Sequence, residues 1–196
     1  YLSLVEDKAS GNYNVASLIF DKLRLQPDPP YEKWNGEVAL KYVEQALSLN
    51  AAQPADDKQK AERRKYMGLK GQMLMHQQEY DAAIALYEQL NGEEGGVPAY
   101  LYAISLAREG RGDSIAELIE PLDSAIAMMG EPMPRDAANY VMRRGHLKAN
   151  AGRYREAVLD YNQYAYLMNS NVNATFYYER SQIEVNGRMY QQALSD

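Results

Sequence analysis

The chain has 196 residues, a formal net charge of −6 and no cysteine. That length is enough to bury a core, the acidic balance argues against a general nucleic-acid binder, whose phosphate contacts need a basic surface, and without cysteine there are neither disulfides nor thiol chemistry. Apolar residues make up 46% and charged residues 24%, the balance of a soluble globular domain, and no apolar run reaches the length of a membrane span.

In chain order, Leu2 to Ala9 reads as a short helix, Ser10-Gly11-Asn12 as a turn, and Tyr13 to Leu25 as a partner helix with Ala16, Ile19, Phe20 and Leu23 on one face. Pro27, Pro29 and Pro30 end it. Glu37 to Leu49 is a further amphipathic helix, with Trp34 placed to pack at its start. The segment from Asn50 to Asp57, containing Pro54, is the expected break between an N-terminal block (1–50) and the rest. Asp56 to Gln77 is a long helix and Glu79 to Leu90 its partner. Lys58, Lys60, Arg63, Arg64 and Lys65 sit there among Asp56, Asp57 and Glu62. An anion site is one reading of that run; a solvated face with acids complementing the helix dipole is the plainer one.

Asn91 to Gly96 is a glycine-rich acidic turn, and Pro98 to Glu109 opens a hairpin that returns through Asp113 to Met129. Pro121 inside that return predicts a kink or an early break. Pro132 and Pro134 lead into the clearest unit, Ala138 to Asn150 and Tyr154 to Met168. These two helices are joined by Ala151-Gly152-Arg153, where the glycine suits a left-handed residue. The chain begins at Tyr1 rather than Met and stops at Asp196 inside a helical pattern, so both ends read as trimmed. A cytoplasmic protein and an exported one that has lost its signal fit equally.

The hairpin recurs. A tyrosine, an alanine three residues on and an aromatic four after that occur as Tyr13, Ala16, Phe20, as Tyr80, Ala83, Tyr87, and as Tyr154, Ala157, Tyr161, with Tyr190 and Ala193 starting a fourth. Gly71 precedes Ala83 by the same interval as Gly145 precedes Ala157, and each glycine follows a base, Lys70 or Arg144. A small residue on each helix lets two backbones approach, and the aromatic one turn later fills the space beside them. Seventeen tyrosines against two phenylalanines suit a thin array in which a ring packs inward while its hydroxyl reaches a polar partner.

The pattern resembles the tetratricopeptide repeat, a helix-turn-helix unit of about 34 residues. The units are divergent: Met67 and Val141 stand at the family's usual tryptophan position. The resemblance implies an all-α fold, a right-handed superhelix (solenoid) of stacked antiparallel helical hairpins. Divergent N-terminal repeats would fill 1–50, and further units about 56–91, 97–129, 137–169 and, incomplete, 173–196.

It also implies a concave groove lined by the first helix of each hairpin. Mapped residue by residue, the groove face is Asn139, Met142, Arg143, His146 and Asn150 in the clearest unit. The same face is Lys65, Gln72 and His76 in the earlier unit, Leu101, Ser105 and Arg108 in the middle one, and Tyr178 and Gln182 in the last. This mixture suits a protein or peptide partner with an acidic or carboxylate feature and one or two apolar anchors. Chaperone-binding members hold a terminal carboxylate with a lysine and an asparagine, but Gly68 and Gln72 occupy those positions, leaving Arg143 as the single match.

Other motifs have structural explanations. Arg111-Gly112-Asp113 is an adhesion tripeptide elsewhere, but it falls where a hairpin needs its turn. Asn173-Ala174-Thr175 fits the glycosylation pattern. Gly68-Leu69-Lys70-Gly71 has the letters of a phosphate loop but lies mid-helix, where its amides are used by the helix itself. His76 and His146 have no metal-ligand spacing, and no nucleophile elbow or cofactor motif is visible. The expected function is a non-catalytic scaffold without metal or cofactor that binds a protein segment in its groove. The alternatives are a structural arm of a larger assembly and an enzyme with an unrecognised site.

Overall fold

The structure, a computed structural model, describes residues 8–25 and 36–195. Most of the predicted helix from Leu2 to Ala9, the prolines at 27, 29 and 30, and Trp34 lie outside the described residues. The helices are α1 (Lys8–Leu25), α2 (Gly36–Ala51), α3 (Asp57–His76), α4 (Tyr80–Glu93), α5 (Pro98–Arg111), α6 (Ile115–Met128), α7 (Ala138–Asn150), α8 (Tyr154–Leu167), α9 (Ala174–Asn186) and the short α10 (Tyr190–Ala193). The described residues form no strand. Two compact units divide the chain, Tyr1–Leu86 and Tyr87–Asp196.

In the first unit α1 packs on α2 and α2 on α3. Ala9, Ala16, Ile19 and Phe20 meet Ala39, Val43 and Ala46, with Tyr66, Leu69 and Met73 closing the core. Alanines at the contact let the helices approach, and the Tyr13 and Tyr66 rings stack with centroids 5.0 Å apart. The expected turn at Ser10-Gly11-Asn12 is absent, because α1 runs through it. Asn12 turns its amide back along the helix, donating from Nδ2 to Lys8 O at 2.7 Å. Ala9, Asn12, Ala16, Ile19 and Phe20 are all buried, so one continuous face outweighs the turn preference of three residues. Between α2 and α3 the chain is braced: Asn50 Nδ2 donates to Gln59 O, and Gln59 Nε2 donates to Asn50 O, both at 3.2 Å. Asp56 caps α3 by accepting from Gln59 N at 2.7 Å.

In the second unit successive helices pack from α5 to α10. Leu118, Ile119, Leu122 and Leu147 form one apolar cluster, Ile126, Ala137, Ala138, Val141 and Leu167 a second, and Ala157, Val158, Tyr161, Phe176 and Ile183 a third. Gly145 marks a close approach of α7 to α8, since a Cβ there would lie 3.1 Å from Asp160 Cβ and 3.2 Å from Tyr161 Cδ2. Beside it, Asp160 accepts from Arg144 Nε at 3.0 Å and Nη2 at 2.6 Å, and Lys148 Nζ lies 2.8 Å from the same carboxylate. Arg144 also reaches Asp123 of α6 at 2.8 Å. In the first unit Lys70, the base before Gly71, similarly bridges to Glu44 of α2 at 2.9 Å.

The hairpins α5/α6 and α7/α8 turn at Gly112 and Gly152, both at positive φ. Each places the next residue's N–H on a carbonyl five residues back, Asp113 N on Arg108 O and Arg153 N on Lys148 O. Gln78 and Arg188, with φ of 63° and 60°, make the same turn after α3 and α9 without glycine. The Asn91 to Gly96 turn starts later than its composition predicts, because α4 continues to Glu93. Asn91 Oδ1 then accepts from Val97 N at 2.7 Å.

Pro121 neither stops nor shortens α6. Having no N–H, it leaves the carbonyl of Glu117 without its helical donor, and Arg108 Nη1 donates there at 3.0 Å. The next carbonyl, Leu118 O, accepts from the buried Ser105 hydroxyl at 2.8 Å. Two side chains of α5 thus supply the polar contacts that carry α6 through its proline. Ser114 starts α6 with a capping box, its hydroxyl facing Glu117 N and the Glu117 carboxylate accepting from Ser114 N at 2.9 Å.

Candidate functional site

The first helices of three hairpins in the second unit, α5, α7 and α9, line one groove of about 710 Å³. Its walls include Tyr102 and Glu109 from α5, Asn139, Met142, Arg143, His146 and Asn150 from α7, and Tyr178, Glu179 and Gln182 from α9, with Tyr161 and Tyr164 of α8 at its floor. Each set follows from helical spacing of three and four. Asn139, His146, Asn150, Tyr178 and Gln182 are exposed, whereas Met142 and Arg143 are half-buried. A second depression of about 490 Å³ shares Met142, His146, Tyr164 and Glu179 and continues to Asn171, Asn173 and Thr175 at the start of α9.

Seven of the residues mapped from the sequence therefore meet in one place: Asn139, Met142, Arg143, His146, Asn150, Tyr178 and Gln182. Leu101 and Arg108 lie on α5 but do not line this groove. Arg108 is engaged on its other side, with Glu120 at 3.1 Å, Glu88 at 3.7 Å and the Glu117 carbonyl. Lys65, Gln72 and His76 belong to the first unit. There Lys65 Nζ lies 4.2 Å from the Tyr13 ring centroid, His76 meets Phe20 edge-on at 5.6 Å, and Gln72 lines a separate depression of about 320 Å³ with Lys65 and Arg64.

The groove's electrostatics differ from a carboxylate clamp. Arg143 Nη2 contacts Glu109 Oε2 at 3.0 Å and Ser105 O at 3.4 Å, while Nε donates to Ser105 Oγ at 3.3 Å. Its guanidinium stands 5.6 Å from the Tyr102 ring centroid, and its side chain is only 14% exposed. Glu179 is met by two side chains and, among the described residues, by no lysine or arginine: the Tyr161 hydroxyl donates to Oε2 at 3.4 Å, and His146 Nε2 is 3.5 Å from the same oxygen. Burial and the Glu179 carboxylate hold the Tyr161 phenol well above its usual range, so it stays a neutral donor.

Glu109, Glu179, Tyr102, Tyr161 and Tyr164 are missing from the sequence-mapped face. Glu179 could have been found, since it stands between Tyr178 and Gln182 at helical spacing. Tyr161 could not, because its ring is core and only its hydroxyl enters the site. Arg111 and Asp113 spend their charges on each other, Nε to Oδ1 at 2.7 Å and Nη2 to Oδ2 at 2.6 Å, which explains the tripeptide as a turn. Asn173 caps α9, its Oδ1 accepting from Phe176 N at 3.0 Å. Among the described residues no group of three or more His, Cys, Asp or Glu is placed to hold a metal ion, and no helix is long and apolar enough to cross a membrane.

No family model matches the chain, and no curated protein does. Solved structures do. A protein from Podosopora anserina with nearly identical TPR-like repeats superposes with a TM-score of 0.67 at 12% identity, over 98% of this chain and 92% of that one. The fold is tetratricopeptide-like. A second tetratricopeptide protein, YrrB, described as having an unusual peptide-binding site, gives a TM-score of 0.61 at 15% identity over 99% of this chain and 85% of its own. MamA from Desulfovibrio magneticus RS-1 gives 0.59 at 14% identity over 86% and 80%. In tetratricopeptide terms, α7/α8 is the clearest hairpin, and all three aromatic landmarks with their alanines are buried: Ala16 and Phe20, Ala83 and Tyr87, Ala157 and Tyr161.

Proposed function

We propose that this chain is a non-catalytic protein-interaction scaffold that holds an extended segment of a partner protein in the groove of its second unit, without metal or cofactor. One observation carries the reading: three successive first helices contribute to a single open groove whose exposed amides, Asn139, Asn150 and Gln182, alternate with aromatic and apolar walls. Side-chain amides can each pair with a main-chain N–H and C=O of an extended strand, and the tyrosines offer area at low entropic cost. YrrB, similar in fold, has a peptide-binding site by its description.

The test is a selection of random 12-residue displayed peptides on the whole chain, followed by binding of the winners to an Asn139→Ala, Asn150→Ala, Gln182→Ala variant. These side chains are exposed, so the variant keeps its circular dichroism. Peptides that lose binding on it support the groove, and peptides indifferent to it overturn the reading. A role as a structural arm of a larger assembly is favoured by one feature: Val185, Tyr190 and Leu194 are 42%, 56% and 83% exposed at the α9/α10 hairpin. A mass by light scattering that grows with concentration, and stops growing in Tyr190→Ser, Leu194→Ser, is the result that reading requires.

A further inference from the structure

From the groove's charge arrangement, we infer that the segment it takes carries a basic side chain, a lysine or arginine whose cation sits against Glu179 between Tyr164 and Tyr178. This rests on the groove reading above and specifies its ligand. Of the groove's lining residues Arg143 alone carries a fixed positive charge, and it is already neutralised by Glu109, hydrogen-bonded to Ser105 and mostly buried. A partner carboxylate would have to break that set to reach it. Glu179 is the opposite case. Its side chain is 42% exposed, no lysine or arginine among the described residues pairs with it, and its hydrogen bond comes from the neutral Tyr161 hydroxyl.

Position and surroundings agree with a cationic guest. Glu179 lines both depressions, as do Met142, His146 and Tyr164, so it stands where the groove passes from the α7 face to the start of α9. The 66% exposed Tyr178 supplies a ring face for a cation, Tyr164, stacked on Phe176 at 5.6 Å, lines both depressions beside it, and Met142 offers an adaptable apolar surface for the methylene stem. His146 faces the same carboxylate. Its ring packs edge-on to Tyr161 at 5.5 Å, which fixes one wall of the place where the guest would sit. The mixture of residues mapped from the sequence suits an acidic or carboxylate feature; the Glu179 carboxylate calls for a basic one instead.

The displayed-peptide selection decides this with two further variants, Glu179→Gln, which keeps shape and removes charge, and Glu179→Lys, which reverses it. Circular dichroism and thermal melting confirm that both fold. The expected result is that groove-dependent peptides share a lysine or arginine at one position. Glu179→Gln then weakens them about tenfold, as loss of one charge-assisted contact does, and a repeat selection on Glu179→Lys returns peptides with Asp or Glu at that position. Groove-dependent peptides without a shared base, or with affinity unchanged in Glu179→Gln, overturn the inference and leave the groove reading standing. A selection that yields no groove-dependent peptide overturns both.

Discussion

Asp160 is the residue whose loss should cost the second unit most. Its side chain is 5% exposed and faces Arg144, 18% exposed, and Lys148, 10% exposed. Asp160→Ala removes the shared acceptor and leaves two largely desolvated cations one turn apart on the same face of α7. Breaking such a buried set by removing one partner costs about 3–5 kcal/mol. Arg144 keeps Asp123 at 2.8 Å, so the lower end, about 3 kcal/mol, applies. A unit of this size has roughly 5–15 kcal/mol of stability in total, so the loss is a large fraction of it. Lys148→Met is the contrasting change. Asp160 remains held by both Arg144 contacts, the methionine keeps the stem's packing, and one desolvated ammonium is gone, so the cost should stay within about 1 kcal/mol. Urea unfolding followed by circular dichroism measures both, and amide exchange on α7 and α8 locates the loss. If Asp160→Ala costs under about 1 kcal/mol, or Lys148→Met costs as much as Asp160→Ala, the charge argument fails.

Four further outcomes are expected. Gly145→Ala should destabilise by about 1–2 kcal/mol, overpacking against Asp160 and Tyr161 outweighing the gain in helix propensity. Gly68→Ala, whose Cβ would meet nothing within 4 Å, should stabilise by up to about 1 kcal/mol; equal signs for the two in a melting experiment would refute the packing account. Gln78→Gly and Arg188→Gly should each raise the melting temperature, relieving about 0.5–1 kcal/mol of left-handed strain. In alkali, burial first and the neighbouring Tyr100 second push the Tyr87 phenol up to about 12. The unfolded chain then ionises from about pH 10 while the fold stays neutral, so stability should fall between pH 10 and 12 by about 2–3 kcal/mol, and Tyr87→Phe should flatten that limb of a pH-dependent melting series.

Much of the fold was legible because small residues and aromatics recur at helical intervals, and that recurrence is packing written directly into the chain. Ala83, Ala157 and Gly145 are buried as their spacing requires. Glycine turns could be read at Gly112 and Gly152, but Gln78 and Arg188 hide the same backbone conformation behind ordinary side chains. Ser10-Gly11-Asn12 misled because local turn preference is worth less than a continuous buried face. Pro121 misled because its remedy, Ser105 and Arg108, lies on another helix. The site was half legible for a related reason. Helical periodicity finds which residues share a face, yet whether a cation there is available depends on partners such as Glu109 that only the fold brings into reach.

The packed helix pairs named above are almost all neighbours in sequence, α1 with α2, α5 with α6, and so on to α9 with α10. Few distant segments must find each other before native contacts form, so loop-closure entropy is small at every step and folding should run in microseconds to milliseconds. The same locality lets opening proceed one hairpin at a time. The slowest-exchanging amides should belong to α7 and α8, where the buried charges and the close glycine contact coincide, and exchange should quicken toward α10, which has four residues and no buried side chain.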